Sequence, residues 1–131
     1  MEIARFERMV SNDAFLKKYF HPSEISYSLN SAHPAQHLAV RFAAKEAVRK
    51  VLLSFMDDLK WKDSWIENDA SGKPVLKFSD SVRKKIDIRH ASVSLSHTAA
   101  IAIAVLILDF ELSGTKKRRA VKREKKIDKL Q

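Results

Sequence analysis

Apolar residues in the first half of the chain recur at helical spacing. Between residues 2 and 10 they lie three or four positions apart, which predicts a short amphipathic helix, and residues 13–20 predict a second helix. A third helix is expected from Pro22, since Pro-Ser-Glu is typical of a first helical turn. The longest helix is predicted over residues 34–58, where the apolar side chains form a broad face.

Beyond Trp61 the pattern is typical of strands and turns. Residues 64–67 and 74–78 are short and β-like, and the turn signal Asn-Asp-Ala-Ser-Gly lies between them. A short basic helix is predicted over residues 79–86, with Ser79 or Asp80 as its N-cap.

Two further strands are predicted by strict alternation of side-chain type. Residues 91–97 alternate serines with Val93 and Leu95, and residues 100–106 alternate alanines with Ile or Val. A tight connection near residues 97–99 would join these strands as a hairpin. Helices that precede an antiparallel sheet predict an α+β fold, in which the long central helix packs on the sheet.

Composition places the chain among globular proteins of one domain. It has 131 residues, of which 45% are hydrophobic and 31% are charged. There is no cysteine, so disulfides and thiolate chemistry are excluded. The N-terminus has no signal-peptide pattern, and the longest apolar run, residues 99–108, is half of the ~20 residues that a membrane helix needs. We expect a cytoplasmic protein that does not cross a membrane.

The net charge of +9 is concentrated near the C-terminus. Residues 114–131 hold nine Lys or Arg and two acidic side chains, whereas residues 1–113 have an excess of only two positive charges. We therefore divide the chain into a folded domain, residues 1–113, and a basic tail, residues 114–131. The tail is either an arm for nucleic acid or a solvated terminal helix. Because no aromatic residue lies among its charges to stack on bases, we favour the second interpretation.

Glu46 lies on a face of the long helix that otherwise carries small side chains. Ala39, Ala43, Glu46 and Lys50 are spaced by four, three and four residues, so they form one narrow stripe. Glu46 and Lys50 have the spacing of a helical ion pair, which is the common explanation of such residues. The alternative is that the carboxylate of Glu46 binds a ligand, because a buried carboxylate requires a partner.

Five segments in register resemble the holo-acyl-carrier-protein synthases of the 4'-phosphopantetheinyl transferase superfamily. The most specific segments are HLAVRFAAKEAVRKVL at residues 37–52, SGKPVL at residues 71–76 and VSLSHTAAIAIAVLIL at residues 93–108. EIARFERMV and YFHPSEISY are also similar to the opening helix and the F-x-P-x-E-x-x-Y step of that family. The resemblance covers residues 2–110 and implies a 4'-phosphopantetheinyl transferase-like fold.

The resemblance implies an enzyme that moves the phosphopantetheine arm of coenzyme A onto a serine of an apo acyl carrier protein and releases adenosine 3',5'-bisphosphate. Glu46 would be a Mg²⁺ ligand beside the coenzyme A pyrophosphate, and Mg²⁺ does prefer hard carboxylate and phosphate oxygens. Lys50 would stabilise or protonate the departing bisphosphate. The turn formed by Gly72, Lys73 and Pro74 would lie against the adenine, and Ser96, His97 and Thr98 would lie near the nucleotide. The other four histidines are expected to be structural.

By the same resemblance, the partner would be an acidic, helical carrier protein. Arg5, Arg8 and Arg41 are the expected docking residues, because complementary charge speeds encounter. Proteins of this type are trimers with active sites between subunits, which implies a homotrimer, and the small faces of the alanine-rich strands fit close subunit packing. Two alternatives remain: a non-catalytic relative that still binds coenzyme A or carrier protein, and a nucleic-acid-binding protein that acts through the basic tail.

The family's opening strand has no counterpart in this chain. In the family it has the pattern G-I-D-I-V, and its aspartate is the second Mg²⁺ ligand, whereas Met1 here comes directly before Glu2 and Ile3. Three explanations compete: a start upstream of Met1, a compensating ligand such as Glu2, or an inactive relative. We favour the first explanation, because the downstream segments are all present.

Overall fold

The computed structural model describes residues 1–113, and the predicted basic tail lies outside these described residues. The helices are α1 Ala4–Glu7, α2 Asp13–Tyr19, α3 Pro22–Leu29, α4 Pro34–Leu52 and α5 Asp80–Lys85. The strands are β1 Ser64–Asn68, β2 Pro74–Phe78, β3 Ile86–His97 and β4 Ala102–Leu112, and a 3-10 helix, Trp61–Asp63, precedes β1. The order of helices and antiparallel strands confirms the α+β prediction.

Local sequence explains where the short helices begin. At α3 the His21 side chain accepts a hydrogen bond from the Ser23 amide, while Glu24 accepts one from the His21 amide at 3.1 Å. This reciprocal arrangement is a capping box, and Pro22 occupies the first helical position. At α5 the Ser79 hydroxyl accepts a hydrogen bond from an amide of the first turn, as the sequence predicted.

Helix α4 ends earlier than the apolar pattern predicted. It stops at Leu52, so the prediction of a helix to residue 58 is wrong. The guanidinium of Arg49 donates to the Leu59 carbonyl at 2.9 Å and holds the following segment against the end of the helix. Phe55 packs edge-on against Phe110 of β4, and Leu59 is buried in the core. The apolar residues beyond Leu52 therefore serve tertiary packing rather than a longer helix.

The strands pair as two separate antiparallel hairpins rather than as one sheet. β1 pairs with β2 across the predicted turn, with Asn68 opposite Pro74 at the end of the ladder. β3 pairs with β4 along nearly its whole length, with a bulge between Ile88 and His90. The predicted hairpin connection after His97 is confirmed, although both strands are longer than the alternation indicated.

The first residues of the chain pair with the start of β4. Glu2 and Ile101 form an isolated antiparallel bridge. The Ala102 amide donates to the Met1 carbonyl at 2.8 Å, and the Ile3 amide donates to the Ala100 carbonyl at 2.9 Å. These bonds fix the segment that leads into α1 beside the β3–β4 hairpin.

The two faces of the β3–β4 hairpin have different surroundings. One face packs against α4, and Ala102 on that face is only 1% exposed. The opposite face carries serines on β3 and an apolar row, which we define as Ile101, Ile103, Val105 and Ile107, 48–64% exposed. The alanine side of β4 is therefore used within the chain, whereas the serine side of β3 is exposed. The expected contact between subunits stays a prediction.

Helix α4 contributes to two hydrophobic clusters. Leu38, Ala39 and Val40 near its start pack with Ile3 and Phe6 of the N-terminal segment and with α2. Ala44, Val48 and Leu52 near its end pack with apolar residues of both hairpins and of α5. Among the helices of residues 1–113, none is long and apolar enough to cross a membrane.

A buried ion pair joins α3, α4 and the start of β1. Lys45 Nζ lies 2.8 Å from Glu24 Oε1, and the two side chains are 1% and 0% exposed. Lys45 also donates to the carbonyls of Trp61 and Ser64, while Glu24 accepts from the Ile66 amide at 3.0 Å. The ammonium group thus has an acceptor for each of its three donors. Burial lowers the pKa of Lys45 from its ordinary value, and the carboxylate of Glu24 opposes that change.

Candidate functional site

A cavity opens where α3, α4, the β1–β2 hairpin and the end of β3 meet. Its volume is about 180 Å³, and its lining includes Tyr27, His37, Arg41, Asn68, Pro74 and His97. Polar groups from a helix pair and from both hairpins therefore face one space. A concave site with a few convergent polar groups is typical of ligand-binding pockets.

Both segments predicted to contact the nucleotide reach this cavity. Pro74 and His97 line it, and β2 and β3 pack against each other. Gly72 and Lys73 precede Pro74 in the exposed turn, and Gly72 has a φ of 86°, the left-handed region that favours glycine. Ser96 and Thr98, on either side of His97, are exposed at the end of the β3–β4 hairpin. The fold therefore brings the two predicted segments together.

Arg41 faces this cavity and not the outer surface. The residue is only 2% exposed, and its guanidinium lies 4.5 Å from the centre of the Tyr27 ring. Arg41 Nη2 donates to Asn68 Oδ1 at 2.7 Å, and Nη1 donates to the His37 carbonyl at 3.3 Å. The prediction that Arg41 docks a carrier protein is not supported by this placement, because little of the side chain is accessible to a partner.

Arg41 gives this cavity a positive charge, and two histidines line it as well. His37 lies one helical turn before Arg41, and His97 reaches the cavity from β3. Burial, together with Arg41, His97 and His33, lowers the pKa of His37 below its ordinary value. Cationic and hydrogen-bonding groups that face each other in this way favour an anion between them.

Glu46 and Lys50 lie on another stripe of α4 and do not line this cavity. Glu46 is half-buried, and Lys50 is exposed. Within residues 1–113 neither side chain forms a hydrogen bond or an ion pair, so they are not paired with each other. Because no side chain within residues 1–113 pairs with it, the carboxylate of Glu46 is available to bind a ligand.

The carboxylate of Glu46 suits only some kinds of metal-binding site. No group of three or more His, Cys, Asp or Glu side chains that could hold a metal ion is found within residues 1–113. A closed all-protein site, such as a structural zinc site, is thus not formed by these residues. Mg²⁺, however, is commonly held by one or two carboxylates and completed by phosphate oxygens and water. The single carboxylate of Glu46 fits that mode of binding.

The surface of α1 has the character expected of a docking site. Arg5 and Arg8 are exposed, as the docking prediction requires. A cavity of about 190 Å³ lies beside them, and its lining includes Arg5, Phe6, Met9, Phe15 and Phe42. Apolar centres with charged rims are typical of protein–protein interfaces.

A larger groove of about 390 Å³ lies at the opposite end of β3. It is lined by apolar residues of both hairpins together with Arg83 and Asp87. None of the predicted site residues lines this groove.

Sequence reasoning missed three residues that organise the site. The sequence indicates Asn68 only as part of a turn signal, whereas in the structure it links Arg41 to that turn. Glu24 and Lys45 form the buried pair that connects α3, α4 and β1. The segments that resemble the family contain both charged residues, but their partnership joins positions that are far apart in sequence.

A family model of the 4'-phosphopantetheinyl transferase superfamily matches residues 1–113. The chain belongs to this superfamily. The holo-acyl-carrier-protein synthase of a Geobacter species is 41% identical over an alignment of 115 residues, which covers 83% of this chain and 92% of that protein. The synthase of Thermus thermophilus is 34% identical over an alignment of 118 residues, which covers 87% of this chain and 91% of that protein.

Solved structures of holo-acyl-carrier-protein synthases share the fold. The Helicobacter pylori synthase in complex with coenzyme A has a TM-score of 0.68 and 30% identity, over 83% of this chain and 95% of that one. The Bacillus anthracis synthase, in complex with coenzyme A (3',5'-ADP), has a TM-score of 0.65 and 27% identity, over 87% of this chain and 91% of that one. The resemblance drawn from the sequence is confirmed by these matches.

Proposed function

We propose that this chain transfers the 4'-phosphopantetheine group of coenzyme A to a serine of an apo acyl carrier protein. The observation that carries the proposal is the cavity lined by Pro74 of the 72–74 turn, His97 and Arg41. The family relationship supports it, since relatives of this chain are named holo-acyl-carrier-protein synthases. In the reaction, the serine Oγ would bond to the phosphorus that bears pantetheine. The pyrophosphate bond would break, and adenosine 3',5'-bisphosphate would leave.

The cavity would take the nucleotide end of coenzyme A. Arg41 supplies positive charge, and the rings of His37 and His97 offer hydrogen bonds to a phosphate group. Gly72, Lys73 and Pro74 would border the adenine, and Ser96 and Thr98 would extend the contact along the strand end. The cavity of about 180 Å³ is smaller than a pocket for a whole coenzyme, which supports contact with part of the ligand there.

Glu46 and Lys50 would serve the reacting pyrophosphate. Glu46 would hold Mg²⁺, which when bound would neutralise the charge of the pyrophosphate. Lys50, one turn further along α4, is exposed and would stabilise or protonate the departing bisphosphate. These roles are supported by the lack of an ion-pair partner for either side chain within residues 1–113, because both charges are then available to a ligand.

The carrier protein would dock at α1. Arg5 and Arg8 are exposed there beside an apolar cavity, which suits an acidic helical partner with apolar residues on its docking face. Complementary charge would raise the rate of encounter. We place the reaction in the cytoplasm, where the partners of such an enzyme would be found.

A homotrimer is the proposed assembly. The support within this chain is the apolar row on the β3–β4 hairpin, whose four large residues are 48–64% exposed. Contiguous exposed apolar surface of this kind is typical of protein–protein contact sites. The subunits would meet through this row.

The proposal is tested by incubating the chain with coenzyme A, Mg²⁺ and a purified apo carrier protein. Mass spectrometry of the carrier should show the addition of one phosphopantetheine group, and the addition should depend on Mg²⁺. Coenzyme A binding without any transfer would contradict the catalytic proposal and indicate a non-catalytic relative. Neither binding nor transfer would contradict the whole proposal.

A further inference from the structure

Asn68 connects helix α4 to the exposed turn between β1 and β2. Arg41 Nη2 donates to Asn68 Oδ1 at 2.7 Å, and Asn68 Nδ2 donates to the Gly72 carbonyl at 3.0 Å. Both ends of the Asn68 amide are thus engaged, which fixes the orientation of its side chain. A buried residue of the long helix is linked in two hydrogen bonds to the backbone of the turn.

The remaining hydrogen bonds of the turn are local. Asp69 Oδ1 accepts from the amides of Ser71 and Lys73, each at 2.9 Å. The Gly72 amide donates to the Asp69 carbonyl, also at 2.9 Å. These bonds give the turn its internal shape, but they do not connect it to α4. Asn68 supplies that connection.

Arg41 is a rigid anchor for this connection. Its guanidinium packs over the Tyr27 ring at 4.5 Å and also donates to the His37 carbonyl. The residue is 2% exposed, so few other orientations are open to the side chain. A planar guanidinium held on an aromatic ring is pre-organised for a directed hydrogen bond.

We propose that Arg41 and Asn68 are positioning residues, which hold the 72–74 turn at the mouth of the cavity in the conformation that receives coenzyme A. The inference rests on the proposed function, and it gives Arg41 a task other than carrier docking. Small displacements of a binding segment weaken binding strongly, because several contacts are lost together. The structure thus assigns a role in coenzyme binding to an asparagine at the end of β1.

The test compares Asn68→Ala, Asn68→Asp and Arg41→Lys with wild type in steady-state transfer assays. Asn68→Asp keeps the acceptor for Arg41 and removes the donor to Gly72, whereas Asn68→Ala removes both. Asn30→Ala, in an exposed helix-end position, is the matched control. Each variant of Asn68 or Arg41 should raise the KM for coenzyme A about tenfold and leave the KM for the carrier unchanged. This is the size expected for the loss of a hydrogen bond that involves a charged group.

The Asn68→Ala and Arg41→Lys substitutions should also be non-additive when they are combined, because they break one linked path. Additive effects would overturn the proposal, as would an Arg41→Lys variant that raises only the carrier's KM. The latter result would restore the docking role of Arg41.

Hydrogen exchange separates this inference from the proposed function, because it requires no activity. The amides of Gly72 and Lys73 should exchange faster in Asn68→Ala and Arg41→Lys than in wild type, and remain unchanged in Asn30→Ala. Unchanged exchange in the first two variants would overturn the positioning role. A wild-type protein that transfers nothing would instead overturn the proposed function, while the exchange data would still decide whether the turn is held.

Discussion

Lys45 and Glu46 are neighbours on α4, yet their charges have opposite surroundings. Lys45 points into the protein, where Glu24 and two carbonyls accept all of its donors. Glu46 is half-buried on another face and has no partner within residues 1–113. The helix therefore separates a charge that is fully satisfied by the fold from a charge that the fold leaves available.

The difference indicates how structural and functional charges can be told apart. A buried charge is costly, so it persists in a stable fold when its hydrogen bonds are complete. A carboxylate that the protein keeps partly buried without a partner is typical of a site whose partner is a ligand. Substitution should therefore damage stability on one face of α4 and activity on the other.

The largest effect is expected from Lys45→Met. This substitution removes the partner of a fully buried carboxylate, so the free energy of unfolding should fall by about 3 to 5 kcal/mol. Urea denaturation followed by circular dichroism measures the change. The matched control is Lys50→Met on the exposed side, which should change the free energy of unfolding by less than about 0.5 kcal/mol. Equal losses in the two variants would break the comparison.

Glu46→Gln should have the opposite effect to Lys45→Met: it should lower activity and leave stability unchanged. The substitution keeps the shape of the side chain and removes its charge, so transfer should slow on the order of a hundredfold or more. Its unfolding curve in urea should match that of wild type, since no intramolecular pair within residues 1–113 is lost. Carrier mass spectrometry gives the rate, and Glu67→Gln is a half-buried control on β1 that should retain activity. Normal transfer by Glu46→Gln would refute the assigned role.

A smaller, pH-dependent effect is expected at His37. Its pKa is lowered by burial and by nearby cations, so the unfolded chain binds more protons than the folded chain below about pH 6.5. The contribution of His37 to the free energy of unfolding is therefore complete above about pH 6.5, and it declines as the pH falls towards the pKa of His37 in the folded protein. Bound coenzyme A should raise the pKa of His37 again, because a nearby phosphate favours the cationic form of the ring.

Proton NMR of the His37 ring, with and without coenzyme A, measures this change in pKa. His37→Gln should remove the titrating signal and flatten the dependence of the unfolding free energy on pH between 5 and 7. An unchanged pKa on saturation with coenzyme A would show that no anion binds near His37.

The smallest effect is expected at the exposed pair of α2. Lys17 Nζ lies 2.9 Å from Asp13 Oδ2, but both side chains are more than 70% exposed. The hydrogen bond that Lys17 donates to the carboxylate of Asp13 raises the pKa of Lys17, and Asp13→Asn should return that pKa towards its ordinary value, as NMR titration would show. Thermal unfolding of Asp13→Asn in physiological salt should match that of wild type, because exposed pairs are screened. A clear loss of thermal stability in Asp13→Asn would show that the exposed Asp13–Lys17 pair does stabilise the fold, contrary to this expectation.

The features that the sequence predicted well are those that local chemistry decides. The Ser79 cap, the Asn-Asp-Ala-Ser-Gly turn and the hairpin after His97 depend on residues close together in the chain. Glu46 and Lys50 belong to one helix signature, and both side chains lack partners within residues 1–113. Their roles stay predictions.

Features that depend on distant partners could not be predicted in the same way. Helix α4 ends before Phe55, which packs against Phe110 of a later strand, and Arg41 bonds to Asn68, 27 residues further along the chain. Periodicity describes which residues are apolar, but not which of them a later strand will cover. The burial of Arg41, which does not support its predicted docking role, could not be read from periodicity for that reason.

In the proposed trimer, the apolar row would make the stability of the chain depend on its concentration. If copies of the chain cover these residues in a trimer, mass action favours the folded, assembled form as the protein becomes more concentrated. Each tenfold increase in free partner well above the dissociation constant adds about 1.4 kcal/mol of apparent stability per binding event. Dilution would do the reverse, so the melting temperature should fall as the sample is diluted. A cell that makes few copies would then hold part of them as separate, less stable subunits.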